Sequence, residues 1–110
     1  MTTFQTIAPK DGKPLNLTGA FIRRTDLTNA VLVGANLTRA DLTRAIARNA
    51  DFKDARLEKT ILRGTDLTGA RNLTVRQLAH AVIDEETKLP DYIDRSALER
   101  LQRAAREKLL

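Results

Sequence analysis

A five-residue phrase repeats without a break from Leu15 to Gly69, and it restricts the possible folds more than any other feature of the chain. Its first position is almost always Ala or Thr, and its third is almost always Leu, Ile or Phe. This period matches neither an α-helix, with about 3.6 residues per turn, nor a β-strand, with about two. Fixed self-similarity indicates a repeat architecture in which neighbouring units bury each other's apolar side chains. The units are LNLTG, AFIRR, TDLTN, AVLVG, ANLTR, ADLTR, AIARN, ADFKD, ARLEK, TILRG and TDLTG.

These units resemble the A(D/N)LXX motif of the pentapeptide-repeat family, and the resemblance covers half of the chain. It implies an all-β solenoid, a right-handed quadrilateral parallel β-helix in which four units form one coil. Eleven units then give about three coils. We expect an N-terminal cap segment at 1–14, the β-helix at 15–70, a capping helix and connector at 71–94, and an amphipathic C-terminal helix at 95–110.

Stacking residues twenty positions apart, as the resemblance implies, predicts the apolar core. Ala47 occupies a slot that otherwise holds Leu. Either Phe52 fills part of the space that Ala47 leaves, or a local register change turns Ile46 inward. The central columns are Leu17, Leu37 and Leu57; Ile22, Leu42 and Leu62; Leu27, Ala47 and Leu67; and Leu32 with Phe52.

The segments that flank the repeats are predicted to cover the ends of the solenoid. Before the repeats, residues 2–7 favour extended structure, so Phe4 and Ile7 are expected to shield the first coil. After them, Thr74 and Gln77 have the spacing of a capping box and begin a helix. The apolar face of this predicted helix is formed by Val75, Leu78, Ala79, Val82 and Ile83.

A second capping box, Ser96 with Glu99, predicts a terminal helix from Ala97 to about Leu109, after a connector that Tyr92 and Ile93 anchor. An apolar stripe on this helix requires a folded surface to pack against. That surface belongs to the β-helix of residues 15–70, called the shaft below, to a second copy of the chain or to another protein. The stripe, a candidate docking element, consists of Leu98, Leu101, Ala105 and Leu109.

The sequence predicts no catalytic, metal or cofactor site. It has no Cys and one His, and His80 falls on the outward face of the first predicted helix without a partner constellation. The shaft carboxylates are spread over different faces, so no acid and base pair is indicated. The first residues lack the apolar run of a signal peptide and no stretch is long enough to span a membrane, so a cytoplasmic protein is expected.

Basic residues are concentrated on one predicted side of the solenoid, in a chain with a net charge of +5. Such a side could bind phosphate or an acidic protein surface. Alternatively, its long side chains only cover the β surface and keep it soluble. Two apolar residues within it make a protein-binding patch as plausible as a nucleic-acid one. The candidate interaction residues are Phe21, Arg23, Arg24, Arg39, Arg44, Lys59, Ile61 and Arg63.

The functional expectation is a non-catalytic protein-interaction or scaffold module that binds another protein or associates with itself. The alternatives are a binder of anionic surfaces or nucleic acid and an effector of a DNA topoisomerase. Some members of the resembled family imitate duplex DNA with a long, mostly acidic rod and act on DNA gyrase. Residues 15–70 carry nine Lys and Arg against six Asp and Glu, which disfavours imitation of DNA.

Overall fold

The repeats form stacked coils joined by parallel β-bridges, in a computed structural model that describes residues 7–108. The bridges link second-position residues twenty apart, such as Asn16 with Asn36, and no strand is longer than one bridge within the described range. Backbone bonds run in both directions between coils: the Leu17 amide donates to the Asn36 carbonyl over 2.8 Å, and the Asn36 amide donates to the Leu15 carbonyl over 2.9 Å. The columns are Asn16, Asn36 and Arg56; Phe21, Asp41 and Ile61; Asp26, Ile46 and Asp66; and Val31, Asp51 and Arg71.

Each unit ends in a tight turn that makes a corner of the coil. In the first, the amide of Ala20 donates to the carbonyl of Leu17 over 3.0 Å, and Gly19 between them has a φ of +67°. This is the geometry of a type II turn, which requires positive φ at its third residue. The fifth position of every unit from Gly19 to Gly69 has positive φ, although several of these residues are not glycine.

The core follows the columns expected from the sequence. Leu37, Leu42 and Leu62 have at most 1% of their surface exposed, and the alanines at first positions lie beside them. In the first coil, by contrast, Leu17 and Ile22 are only partly buried. Within residues 7–108, the core is therefore more completely buried in the middle of the shaft than in its first coil.

The irregular unit around Ala47 keeps the register of its neighbours. Ala47 and Phe52 are both completely buried, whereas Ile46 points outward and is 41% exposed. Ile46 also pairs with Asp26 and Asp66 as the second position of any other unit would. The register change that would turn Ile46 inward does not occur, and the largest side chain of the series lies beside the smallest.

Polar second and fourth positions stabilise the turns from outside. The carboxylate of Asp26 accepts hydrogen bonds from the Thr28 amide at 3.0 Å and from the Thr28 hydroxyl at 2.6 Å. Asn36 accepts the same pair from Thr38. These contacts explain why Asp or Asn, then Leu, then Thr recur at the second, third and fourth positions. The Leu points inward, and the Thr on the outside donates hydrogen bonds to the Asp or Asn.

Helix α1, Val75–Ala79, follows the repeats and begins with the expected capping box. The Thr74 hydroxyl accepts from the Gln77 amide, and the Gln77 side chain accepts from the Thr74 amide. The prediction that this helix continues to Ile83 is wrong, because Val82 pairs in parallel with Ile61. The amide and carbonyl of Val82 bond to the unpaired backbone edge of the last coil instead of continuing the helix.

The segment after α1 continues two of the columns and so occupies the edge of the last coil. The Leu62 amide donates to the Val82 carbonyl and the Leu67 amide to the Lys88 carbonyl, each over 2.7 Å. Asp84 accepts from the Gly64 amide over 3.0 Å. The buried Thr87 hydroxyl donates to the Leu62 carbonyl over 2.7 Å, as those of Thr60 and Thr65 do to carbonyls one coil earlier.

Helix α2, Arg95–Glu107, begins two residues earlier than expected and ends before Leu109. The predicted Ser96 cap is wrong: the N-cap is Asp94, whose carboxylate accepts from the amides of Ser96 and Ala97. A carboxylate favours an N-terminal position because of the helix dipole as well as its hydrogen bonds.

The connector before α2 is anchored as expected. Ile93 is buried, and the Tyr92 hydroxyl donates to the Ala70 carbonyl and accepts from the Leu73 amide. At the other end of the shaft, the Val31 amide donates to the Ile7 carbonyl over 2.7 Å, so Ile7 contacts the first coil. Phe4 lies outside the described residues, and so does Leu109.

Candidate functional site

The predicted interaction residues lie together on one side of the shaft. We name as the basic face residues 20–24, 40–44 and 60–64 together with Arg39 and Lys59 at the preceding corner. Its central column is Phe21, Asp41 and Ile61, joined by parallel bridges. The structure therefore brings together all eight residues of the candidate interaction face.

An exposed aromatic ring and a basic side chain meet at the N-terminal end of the basic face. Phe21 is 76% exposed, a high value for a large apolar residue. The guanidinium of Arg23 lies over its ring, 5.7 Å from the centroid, in a cation–π arrangement. The Nε of Arg23 is also 3.8 Å from the Asp41 carboxylate. This end combines apolar surface with positive charge.

Four of the basic residues occupy the left-handed corners on either side of the face. Arg24, Arg39, Arg44 and Lys59 have φ between +57° and +62°. A residue with a Cβ in this conformation costs about 1–2 kcal/mol. The corners on the opposite side of the shaft carry Gly, Asn and Asp, which tolerate it better. Long cationic side chains thus occupy strained positions only beside this face.

Charge is correspondingly segregated around the shaft. The basic face carries six basic side chains and one carboxylate, Asp41, whereas the remainder of residues 15–70 carries three basic and five acidic side chains. Of the ion pairs among residues 7–108, Arg44 makes one with Glu86 at 3.8 Å, between largely exposed groups. Arg24, Arg39, Lys59 and Arg63 make none within that range. Most of the positive charge on the face is therefore free to meet a partner.

The single carboxylate of the face is held in its charged form. Burial is the largest single influence on the pKa of Asp41 and raises it, but hydrogen bonds from the Thr43 hydroxyl and amide, with the charges of Arg23 and Arg63, outweigh burial and lower the pKa. Asp41 consequently places a negative charge in the middle of the basic face at neutral pH.

The candidate docking helix is only partly available to a partner. Leu98 is completely buried in the core, and the side-chain amide of Gln102 donates to the carbonyls of Leu78, in α1, and of Ala81, just after it. Leu101 is 37% exposed, and Ala105 is partly buried. The first half of α2 therefore belongs to the folded core, and only its second half offers apolar surface.

No group of three or more His, Cys, Asp or Glu side chains within residues 7–108 is placed to hold a metal ion. His80 is exposed, and its carbonyl accepts from the Lys59 amide. No helix of this range is long and apolar enough to cross a membrane.

The sequence reasoning missed the left-handed corners. Gly at 19, 34, 64 and 69 and Asn at 29 and 49 all fall at the fifth position of the phrase, and both residue types tolerate positive φ. That recurrence was a signal for the turn. From it, Arg24, Arg39, Arg44 and Lys59 could have been predicted to adopt positive φ, a backbone conformation that is unfavourable for Arg and Lys.

Comparisons with known proteins agree with this architecture. Residues 15–46 and 35–71, more than half of the chain, match the model of the family described as pentapeptide repeats, in eight copies. No curated protein sequence matches the chain significantly.

Several solved structures are similar to this one. A trypsin-treated variant of QnrB1, described as a plasmid-mediated fluoroquinolone resistance protein, aligns with a TM-score of 0.57 and 20% identity. The alignment covers 79% of this chain but 40% of that one, so the present chain spans about two fifths of QnrB1. Rfr23, a pentapeptide repeat protein of the cyanobacterium Cyanothece 51142, is 30% identical over 73% of this chain and 67% of its own, with a TM-score of 0.36. A pentapeptide repeat protein of Nostoc Pcc 7120 is 20% identical over 86% and 96%, with a TM-score of 0.33.

These matches explain the four-sided coil, because pentapeptide repeats imply a right-handed quadrilateral β-helix. Pentapeptide-repeat proteins are generally structural and non-catalytic. The periodic core, the stacked parallel bridges and the family match lead to one conclusion: the chain belongs to the pentapeptide repeat family.

Proposed function

We propose that this protein is a non-catalytic interaction module whose basic face binds an acidic protein surface. The face is carried on a β-helix of about three coils, and α1 and α2 close the C-terminal end. The observation that carries the proposal is the placement of Arg24, Arg39, Arg44 and Lys59 at strained corners beside one face only. A need for solubility alone would be met as well by charges on any face, without this cost.

The central column of the face favours a protein partner over nucleic acid. Phe21 at its N-terminal end is exposed, Ile61 at its other end is partly exposed, and Asp41 between them would repel a phosphate backbone that crossed the middle. Protein interfaces commonly combine an apolar centre containing aromatic residues with a polar rim, and Arg is enriched in them. A partner with an apolar centre and acidic margins would complement the basic face, and its charges would speed association.

The corner residues allow a test that spares the fold. Replacing Arg24, Arg39, Arg44 and Lys59 by Gly removes four charges and places in each turn the residue that it favours. A suitable probe is a peptide of alternating Glu and Leu, compared at low salt with duplex DNA of equal charge. We expect the wild type to bind the peptide more tightly than the DNA, and the variant to bind it at least tenfold more weakly.

The matched control replaces Asn29, Asn49 and Asp54 by Gly, at left-handed corners away from the basic face. It should bind the peptide as the wild type does. Unchanged peptide binding by the four-residue variant would overturn the proposal. Tighter binding of DNA than of the peptide would favour the nucleic-acid alternative.

An effector of a DNA topoisomerase is the remaining alternative from the family resemblance. The fold likeness to a fluoroquinolone resistance protein supports it, but the basic charge of the shaft opposes imitation of DNA. Supercoiling by purified gyrase, with and without a fluoroquinolone, decides this question. We expect the protein to change neither the supercoiling activity of gyrase nor its inhibition by the fluoroquinolone.

A further inference from the structure

The two C-terminal helices leave a groove of about 790 Å³ between them. Helix α1 has five residues and α2 has thirteen, so α1 cannot cover the whole length of its neighbour. Leu98 is completely buried, whereas Leu101, one turn further along, is 37% exposed. The groove thus begins where the contact between the helices ends.

The lining of the groove has the pattern of a helix-binding surface. Helix α2 and its C-cap contribute Leu101, Ala104, Ala105 and Lys108, which are spaced to lie on one helical face. With Ala79 from α1, the alanines form a shallow floor of small side chains. Small residues at a contact let helix axes approach towards the short end of their usual range of about 8–10 Å. A third helix would fit along this floor with its apolar side on Leu101.

The charges around the groove specify the sign of its occupant. The basic side chains of Arg76 and Lys108 line it beside His80, and no side-chain carboxylate of residues 7–108 does. Helix α2 and Lys108 together carry five basic and two acidic side chains. A second copy of α2 would bring like charges together, which disfavours self-association through this groove. An acidic helix would instead gain attraction at both margins.

We propose that the α1–α2 groove binds an acidic amphipathic helix of another protein. This recognition mode is a helix laid in a groove, with apolar anchors at helical spacing and acidic residues facing the basic margin. None of the residues that line the groove belongs to the basic face, so this proposal does not depend on the proposed function of that face. The Lys59 amide bonds to the His80 carbonyl over 2.6 Å, so the two surfaces are neighbours and could contact one partner.

The test uses the full chain and two synthetic helical peptides with the same Leu and Ala face, one with Glu and the other with Lys at the remaining positions. We expect the Glu peptide to bind at least tenfold more tightly. Ala105→Leu fills the groove with a good helix former and should weaken binding of the Glu peptide at least tenfold. Ser96→Leu, at an exposed position of α2 outside the groove, is the matched control and should leave the affinity unchanged.

Two further variants keep the result interpretable. Arg76→Ser combined with Lys108→Ser removes two positive charges without filling the groove. This double variant should also bind the Glu peptide more weakly, and its melting temperature should equal that of the wild type. The four-residue Gly variant of the basic face should bind the helical Glu peptide as the wild type does, which separates this site from that face. Equal affinity for both peptides, no loss with Ala105→Leu, or a dimer dissociated by Ala105→Leu would overturn the proposal.

Discussion

The corner residues illustrate how one position can serve two demands. The turn favours glycine because φ is positive, and Gly occupies this position in several units. At four of the six corner positions that flank the basic face, Arg or Lys stands there instead and carries positive charge, and Gly19 and Gly64 occupy the other two. Each such residue gives up some stability for a surface property, a trade-off common at functional surfaces.

Arg39→Gly is therefore expected to stabilise the protein. Relief of the left-handed strain outweighs the extra chain entropy of Gly, and the net gain should be about 0.5–1 kcal/mol in the free energy of unfolding. Urea unfolding followed by circular dichroism measures the change. Asn29→Gly is the control at a comparable φ and should gain less, because Asn tolerates this region. A less stable Arg39→Gly protein would contradict the assigned strain.

The repeat element depends on which residues point inward. Leu42 is completely buried in the middle of the shaft, so Leu42→Arg places an unpaired charge in the core and should cost several kcal/mol. Its neighbour Thr43 is at the outward fourth position, where Arg23 and Arg63 stand in other units of the same face. Thermal melts should therefore place Thr43→Arg close to the wild type, and equal stability of the two variants would contradict the register.

The first half of α2 is part of the core, although its sequence also suited a separate docking element. Leu98→Ala should cost about 2–5 kcal/mol, because Leu98 is completely buried. Leu101→Ala, one turn later on the partly exposed stripe, should cost less than about 1.5 kcal/mol. Chemical denaturation of both variants measures the difference. Similar small losses would mean that the whole helix is a peripheral element.

The elements that sequence reasoning placed correctly depend on short-range chemistry. Thr74 and Gln77 cap α1 because their spacing alone allows reciprocal bonds. The inward positions follow from the phrase, whereas the columns of the core also needed the four units per coil that the family resemblance implies. Val82 could not be placed in this way, because its competing partner Ile61 lies twenty-one residues earlier in the chain. The eight candidate interaction residues share one side of the shaft, as their twenty-residue stacking predicts, and their role in binding stays a proposal. The strain at their corners depends on φ, which the identity of an Arg does not indicate.

At the scale of the whole molecule, the carboxylates that recur around the shaft make stability depend on pH. Hydrogen bonds from Thr28 lower the pKa of Asp26. Burial raises the pKa of Asp66, but hydrogen bonds from Thr68 and the charges of Arg48 and Lys88 outweigh it and lower the pKa. Each folded-state pKa is below the ordinary 3.8, so this stabilisation is present above that pH and is lost as the pH falls through the lowered values.

Melting temperatures should accordingly change little near neutrality and fall below about pH 4. Replacing Asp26 and Asp66 by Asn should reduce this fall, because Asn16 and Asn36 accept the same bonds without titrating. Asp54→Asn is the control: Asp54 is exposed, and among residues 7–108 the neighbouring bonds from the Lys53 amide and the Asn72 side chain go to Asp51 instead. An identical acid profile for the double variant and the wild type would contradict the role of these carboxylates.

The ladder of bridges between residues twenty apart also determines which changes in length the gene can accept. Loss of residues 35–54 would remove one complete coil and leave every later unit on its original side, with Arg24 then stacked against Gly64. Loss of residues 45–49 would preserve the local phrase yet rotate all later sides by a quarter turn, and Arg63 would leave the basic face. Insertions and deletions that evolution retains in such a shaft should therefore come in whole coils, even though the visible repeat is a quarter of that length.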